Sequence, residues 1–139
     1  PEVMEQKNLH LQAKYRQIKA NETRCELTKC DDADYLVVAF GSAARIAEKS
    51  MEVARAHNIR LGLFRPITLW PFPEKELQNA AAGKKGILVA EINAGQMVQD
   101  VSLAVGSNIP VAHFGRLGGI VPDPEEIVNA LKTKLIDNE

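Results

Sequence analysis

Residues 35–40, YLVVAF, are apolar without a break, and their reading decides the fold. A strand with one wet face alternates apolar and polar residues, whereas an unbroken apolar run of four to eight belongs to a strand covered on both faces. Two more such runs follow, IRLGLF (59–64) and GILVAEI (86–92), and PVAHFG (110–115) reads as a fourth. The segments between them have helical period. A helix over 43–57 aligns Ile46, Ala47, Val53 and Ala54, and a short one over 74–82 closes at Gly83. The helix after the third strand buries Met97, Val98, Val101, Ala104 and Val105. A last helix carries Ile127, Ala130, Leu131 and Leu135, and Asp123, Pro124 and Glu126 give it a cap, a proline at its first position and an acid at its third. Short apolar strands joined by helices require crossover connections, hence a mainly parallel sheet between two helical layers.

Working outward, RCELTKC (24–30) alternates instead, with Cys25 and Leu27 on one side and Arg24, Glu26 and Thr28 on the other. That is the pattern of a half-exposed strand at a sheet edge, expected to run antiparallel. Before it, residues 2–20 place Met4, Leu11, Tyr15 and Ile18 on one face of a helix. The expected fold is α/β: a three-layer α/β/α sandwich with a mainly parallel sheet and one antiparallel edge strand. Residues 1–30 are expected to form an N-terminal helix and edge strand that connect to an upstream domain, and residues 31–139 the sandwich itself. A start at Pro1 followed at once by helical sequence is read as a piece of a longer polypeptide.

With 139 residues the chain suits one domain with a proper core. A formal net charge of -1 gives no global field favouring nucleic acid or an anionic membrane, and no apolar run approaches bilayer length. Neither partner class is expected. The two cysteines, Cys25 and Cys30, are spaced C-x₄-C with no second pair, and His10, His57 and His113 are scattered. No metal site is expected, and two reduced thiols without a leader sequence point to the cytoplasm.

In an open parallel sheet, ligands gather beyond the C-terminal ends of the strands. Four such ends can be named: Gly41–Ser42, Arg65–Pro66, Glu91–Asn93 and Gly115–Arg116. Backbone N–H groups at Gly41 and Ser42 can hold an anion, although one glycine is no phosphate-loop motif and a serine N-cap is the plainer reading. NAGQ (93–96) reads as a capping box, with Asn93 covering the first turn and Gln96 reaching back. Glu91 suits a general base or a structural carboxylate, and no partner base can be named. His113 reads as a core or edge histidine. Arg116 can clamp an anion or bridge to a neighbouring domain, and the second reading is preferred. Asp31 and Asp32 precede the first central strand, which excludes a phosphoacceptor pocket of the response-regulator kind. No catalytic set can be assembled.

FRPITLWPFPEKEL (64–77) concentrates prolines and aromatics in one connection, in a chain only 5% aromatic. Pro66 ends the strand, Pro71 stiffens the middle and Pro73 prepares the next helix. Such rigidity suits Trp70 and Phe72 either as interface anchors or as rings folded back over their own core, and the sequence leaves both open.

LFRPITLWPFP (63–73), EINAGQMVQDV (91–101) and HFGRLGG (113–119) with PDPEEI (122–127) together resemble one family. It is the C-terminal region of the alpha subunit of 2-oxoacid:ferredoxin oxidoreductases, nearest the 2-oxoisovalerate (branched-chain) type. YRQIKANETR (15–24) resembles the connector preceding that region. The resemblance implies a transketolase C-terminal-domain-like fold. It also implies a parent enzyme converting a 2-oxoacid, coenzyme A and oxidised ferredoxin to an acyl-CoA, CO2 and reduced ferredoxin. Thiamine diphosphate, Mg2+, iron–sulfur clusters and coenzyme A belong to that parent complex, and none is expected to bind this chain. The implied partners are an N-terminal pyrimidine-binding domain, a pyrophosphate-binding beta subunit, the other oxidoreductase subunits and, through the complex, ferredoxin. The implied role is assembly, with Arg65, Trp70, Phe72 and Arg116 as interface residues and no activity alone. Two alternatives stand beside it: a self-sufficient nucleotide- or CoA-binding module using Gly41, Ser42, Asn93 and Arg116, and a homodimerisation domain.

Overall fold

A computed structural model describes residues 1–139. The elements in chain order are α1 (Glu2–Glu22), β1 (Cys25–Thr28), β2 (Tyr35–Val38), α2 (Gly41–Ala56), β3 (Leu61–Pro66), α3 (Glu74–Ala81), β4 (Gly86–Glu91), α4 (Met97–Val105), β5 (Val111–Gly115) and α5 (Pro124–Lys134). Short 3-10 turns follow α4 and α5. The five strands form one sheet in the order β1-β3-β2-β4-β5, with β1 antiparallel to β3 and all other pairs parallel. The expected class and the antiparallel edge are both present.

Strand alternation sorts the core into two halves. Tyr35 and Val37 on β2, with Leu61 and Leu63 on β3 and Leu88 on β4, pack against α2 and α5. Leu36, Val38, Phe64, Ile87 and Val89 point the other way, against α3 and α4. Every residue of β2 and β4 is buried, as unbroken apolar runs require. β5 is different: all five of its residues are only half-buried, because it pairs with β4 alone and forms the second edge of the sheet. The ammonium of Lys134 donates to the outward carbonyl of His113 (2.5 Å), covering part of that open edge.

Gly62 has a geometric reason. A Cβ there would lie 2.8 Å from the carbonyl oxygen of Lys29 and 2.9 Å from Cys30 Cα, so only glycine lets the β1–β2 turn cross β3 this closely.

The strands' N-terminal ends are tied by ion pairs. Arg55 on α2 forks onto Asp32 (2.7 and 2.9 Å) and also donates to the carbonyls of Lys29 and Leu61, clamping the β1–β2 turn to the sheet. Arg60 forks onto Asp34 in the same way (2.9 and 3.0 Å). The Tyr35 phenol donates to Glu139, and burial together with that carboxylate pushes its pKa up. The hydrogen bond from Arg55 holds the Asp32 carboxyl down at about 2. A depressed carboxylate stabilises the fold above its unfolded pKa of about 3.9, and this stabilisation disappears as the pH falls through the folded value. Acid titration of the urea midpoint should therefore fall between about pH 4 and pH 2, and Asp32→Asn should flatten that fall. An equal fall in Asp32→Asn would show that the pair contributes nothing, the common outcome for exposed ion pairs.

Candidate functional site

The C-terminal edge of the sheet carries, in spatial order, Arg65 at the end of β3, Gly41–Ser42 after β2, Glu91–Asn93 after β4 and Arg116 after β5. The chain leaves β2 towards β3 on one side and later returns to β4 on the other, so the crevice between the β2–α2 and β4–α4 connections is the topological switch point. Crevices of this kind are where ligands sit in open α/β sheets.

Each wall of the crevice departs from the sequence reading. α2 begins at Gly41, two residues earlier than the hydrophobic period indicates, and its N-cap is Phe40, with no side chain capping it. Gly41 adopts φ +56, which lets the chain turn straight from strand into helix. Ser42 therefore lies inside the first turn and is not the cap, and both Gly41 and Ser42 are exposed.

On the opposite wall, α4 begins at Met97, and Asn93 with Gln96 does not form the expected capping box. Asn93 Oδ1 accepts from the N–H of Gly95 (2.7 Å), a local turn whose Gly95 sits at φ +114. The cap comes from further back. Glu91 is 1% exposed, and its carboxylate accepts from the backbone N–H groups of Met97 (2.7 Å), Val98 (3.2 Å) and Gln96 (3.3 Å) and from Asn93 Nδ2 (3.2 Å). A buried carboxylate is tolerable only with such compensation, and here the charge also meets the positive end of the α4 dipole. His113 Nε2 on the neighbouring strand lies 3.4 Å from Glu91 Oε2. Gly115 beside them has no room for a side chain, because a Cβ would run into the Asn93 carbonyl and the His113 ring.

This arrangement changes the chemistry of the crevice. The α4 N-terminus, read as an anion site through Asn93, is already filled by the protein's own anion. A pyrophosphate at that end would meet Glu91 instead of free N–H groups. Arg116 is likewise engaged: Nη1 donates to Glu126 Oε1 (2.8 Å), while Glu126 Oε2 accepts from the N–H of Asp123 (2.8 Å) in the capping box of α5. The expected cap of α5 is thus present, and Arg116 braces it. Of the four anion-site residues only Gly41 and Ser42 stay open. No group of three or more His, Cys, Asp or Glu side chains is arranged to hold a metal ion. The Cys30 thiol donates to the Leu63 carbonyl (3.2 Å), and burial pushes both cysteine thiols up, so neither is disposed to act as a thiolate ligand.

The proline-rich connection leaves the same edge and turns towards α3. Pro71 and Pro73 are buried and Phe72 is half-buried against the α3–α4 half of the core, so the two aromatic readings divide between the two rings. Trp70 is 56% exposed, next to exposed Leu69 and Ile67. Its one aromatic neighbour is Tyr15 of α1, edge-on with the ring centroids 5.7 Å apart. Arg65 reaches across to Glu26 on β1 (3.2 Å), and its Nε is buried without a partner.

Residues 33–127 match the family described as pyruvate:ferredoxin oxidoreductase core domain II. The chain belongs to that family. Among curated proteins, a ketoisovalerate oxidoreductase subunit VorB from Methanothermobacter thermautotrophicus is 36% identical over 129 residues, 93% of this chain and 36% of the relative. A 2-oxoglutarate synthase subunit KorA from Methanothermobacter marburgensis is 35% identical over 101 residues, 73% of this chain and 27% of the relative. The chain thus spans about a third of the length of these relatives. Among solved structures, a 2-oxoglutarate:ferredoxin oxidoreductase from Magnetococcus marinus superimposes with a TM-score of 0.76 at 24% identity, covering 96% of this chain and 23% of the other. A split gene transketolase gives 0.67 at 19% identity, covering 81% of this chain and 41% of the other. Both likenesses concern the fold, which is the transketolase C-terminal type expected from the sequence.

Proposed function

We propose that this domain serves assembly in a thiamine-diphosphate-dependent 2-oxoacid:ferredoxin oxidoreductase, and that its parent converts a 2-oxoacid and coenzyme A to an acyl-CoA and CO2 while reducing ferredoxin. The carrying observation is the family match over 33–127 combined with a crevice whose α4 wall is sealed by Glu91. A sealed helix start and braced arginines support a scaffold more than a cofactor cradle. The partners in this reading are a pyrimidine-binding domain, a pyrophosphate-binding subunit and the other subunits of the complex, with thiamine diphosphate, Mg2+ and the iron–sulfur clusters held by them. The parent is a cytoplasmic enzyme. Residues 1–30 act as the connector and residues 31–139 as the docking body.

Trp70 is the anchor of the proposed interface, with Phe72 fixing it from the core side and Arg65 and Arg116 at its margins. Exposed, rigid aromatics next to apolar neighbours are typical binding anchors. The test is calorimetric titration of the chain with the purified remaining subunits of such an oxidoreductase, with the emission of Trp70, the chain's single tryptophan, followed in the wild type. Binding is expected with a blue shift, and Trp70→Ala should weaken it at least about 30-fold, as for an anchor worth about 2 kcal/mol or more. Unchanged affinity in Trp70→Ala would remove the interface from this loop.

The open α2 start favours one second reading, a coenzyme A or nucleotide site at Gly41 and Ser42. A ligand at about 100 times its Kd should stabilise the fold by roughly 2.7 kcal/mol. The assembly reading expects no such shift in melting temperature with coenzyme A, NAD, FMN or thiamine diphosphate with Mg2+. A clear shift would overturn it in favour of the binding module.

A further inference from the structure

The two edges of the sheet are finished differently. β1 is four residues long, carries Glu26 in an ion pair with Arg65, and is flanked by Arg24 and Lys29. Charges on a short strand are a common protection against pairing with another chain. β5, VAHFG, holds neither a charged residue nor a proline. Its main chain turns to β4 at every second residue. The Ile87 N–H donates to the Pro110 carbonyl (2.9 Å), and the Arg116 N–H donates to the Glu91 carbonyl (3.3 Å). By the same alternation Ala112 and Phe114 face β4, so the N–H and C=O groups of Val111, His113 and Gly115 face outward. One group of that outward row has a side-chain partner, the His113 carbonyl, which accepts from Lys134.

The row is self-complementary. Turned about a two-fold axis at His113, it lies antiparallel to a second copy of itself. His113 then faces His113 of the second copy, and Val111 faces Gly115 of the second copy, which has no side chain to crowd it. In an antiparallel ladder each such pair exchanges two hydrogen bonds. The surroundings obey the same axis. α5 borders the edge at two levels, through Glu126 on Arg116 and Lys134 on His113. Its first turn is acidic, with Glu125 and Glu126, and its last turn is basic, with Lys132 and Lys134. An antiparallel copy sets acid against base, whereas a parallel one would set like against like. Beyond the end of β5, Leu117, Ile120 and Val121 are 60%, 50% and 64% exposed. The axis carries these apolar side chains towards half-buried Ile109 and Val111 of the second copy.

We propose that the β5 edge is a pairing surface for a second copy of this chain, joining two five-stranded sheets into one across a two-fold axis at His113. Lys134 then leaves the His113 carbonyl for the acidic first turn of α5 in the second copy. Trp70 follows β3, and β2 and β4 lie between β3 and β5, so this surface is separate from the one assigned above to the other subunits. The pairing does not rest on that reading.

Sedimentation equilibrium of the 139-residue chain, from about 1 to 500 µM, reads the pairing directly. A reversible monomer–dimer equilibrium is expected. Val111→Pro removes an outward N–H that the β4 ladder does not use, and proline is tolerated at such edge positions. It should weaken the dimer at least about tenfold, while β4 amides keep their protection from hydrogen exchange. Lys134→Glu, at an exposed position, sets acid against acid and should weaken the dimer about three- to tenfold. Salt gives the sign of that contact: about 0.5 M should weaken the wild-type dimer and strengthen that of Lys134→Glu. Trp70→Ala should dimerise like the wild type. A monomer at every concentration would overturn the proposal. A dimer that either edge variant leaves intact, or that Trp70→Ala abolishes, is built on another face and would overturn it equally.

Discussion

Glu91→Ala is expected to destabilise the protein by about 3 kcal/mol, more than an ordinary helix cap is worth, because the bonds lost are charge-assisted and buried. The carboxylate serves three backbone N–H groups and the Asn93 amide at once. Its removal strands helix donors at a buried position and leaves the α4 dipole uncompensated. In a chain of this size that corresponds to roughly 10 °C in Tm. Glu91→Gln separates charge from shape. The amide keeps one acceptor oxygen but turns an NH2 towards donors, so about half of the loss should remain. Fragment-resolved hydrogen exchange should place the damage in residues 92–101 and spare α2. If Glu91→Ala melts within a degree or two of wild type, the α4 start is held by something other than this carboxylate.

That residue also shows where a sequence stops being readable. The runs at 35–40, 59–64 and 86–92 announce buried strands because burial on both faces imposes a local composition. The parallel sheet then follows from the helices between them. The capping box at Asp123–Glu126 was legible for the same reason: its partners are three residues apart, and backbone geometry alone brings them together. Asn93 and Gln96 satisfy the same spacing rule but do not form the box. The competing cap comes from Glu91, five to seven residues before its donors, across a turn that Gly95 opens with a positive φ. One signal was available, an acid ending an otherwise apolar strand, but choosing its role required knowing that the strand was central and its last position dry. Strand order was equally hidden. His113 reads as interior or edge until β5 is known to pair with β4 alone. At α2 the hydrophobic period marks the packed stripe and not the first turn, so it points to Ala43 as the start and to Ser42 as the cap, whereas the helix begins at Gly41. The two rings of the proline loop went to different fates because Phe72 lies between two buried prolines, while Trp70 lies one residue further from the core.

Phe64→Ala should cost about 3–5 kcal/mol, since it adds a cavity to the lost transfer energy of a whole ring. Phe64 is fully buried in the α3–α4 half of the core and stands at a junction: Leu27 of the antiparallel edge strand pairs with it on one side and Val38 of the central strand on the other. The neighbours that would have to collapse into the space are held by sheet hydrogen bonds on both flanks, which limits relaxation and puts the cost towards the upper part of the range. Against a total stability of about 5–15 kcal/mol, the variant keeps only a narrow margin and should melt some 10–15 °C lower. Phe64→Leu, which preserves most of the volume, should lose about 1–1.5 kcal/mol. The contrast carries functional information because β3 delivers the loop that ends at Trp70. If the loop is rigid because its strand is rigid, Trp70 emission in folded Phe64→Ala should move towards that of a solvated indole, while in Phe64→Leu it stays at the wild-type position. Emission unchanged in both variants would mean that the prolines fix the ring without help from the core, and the rigidity invoked for docking would then belong to residues 66–73 alone.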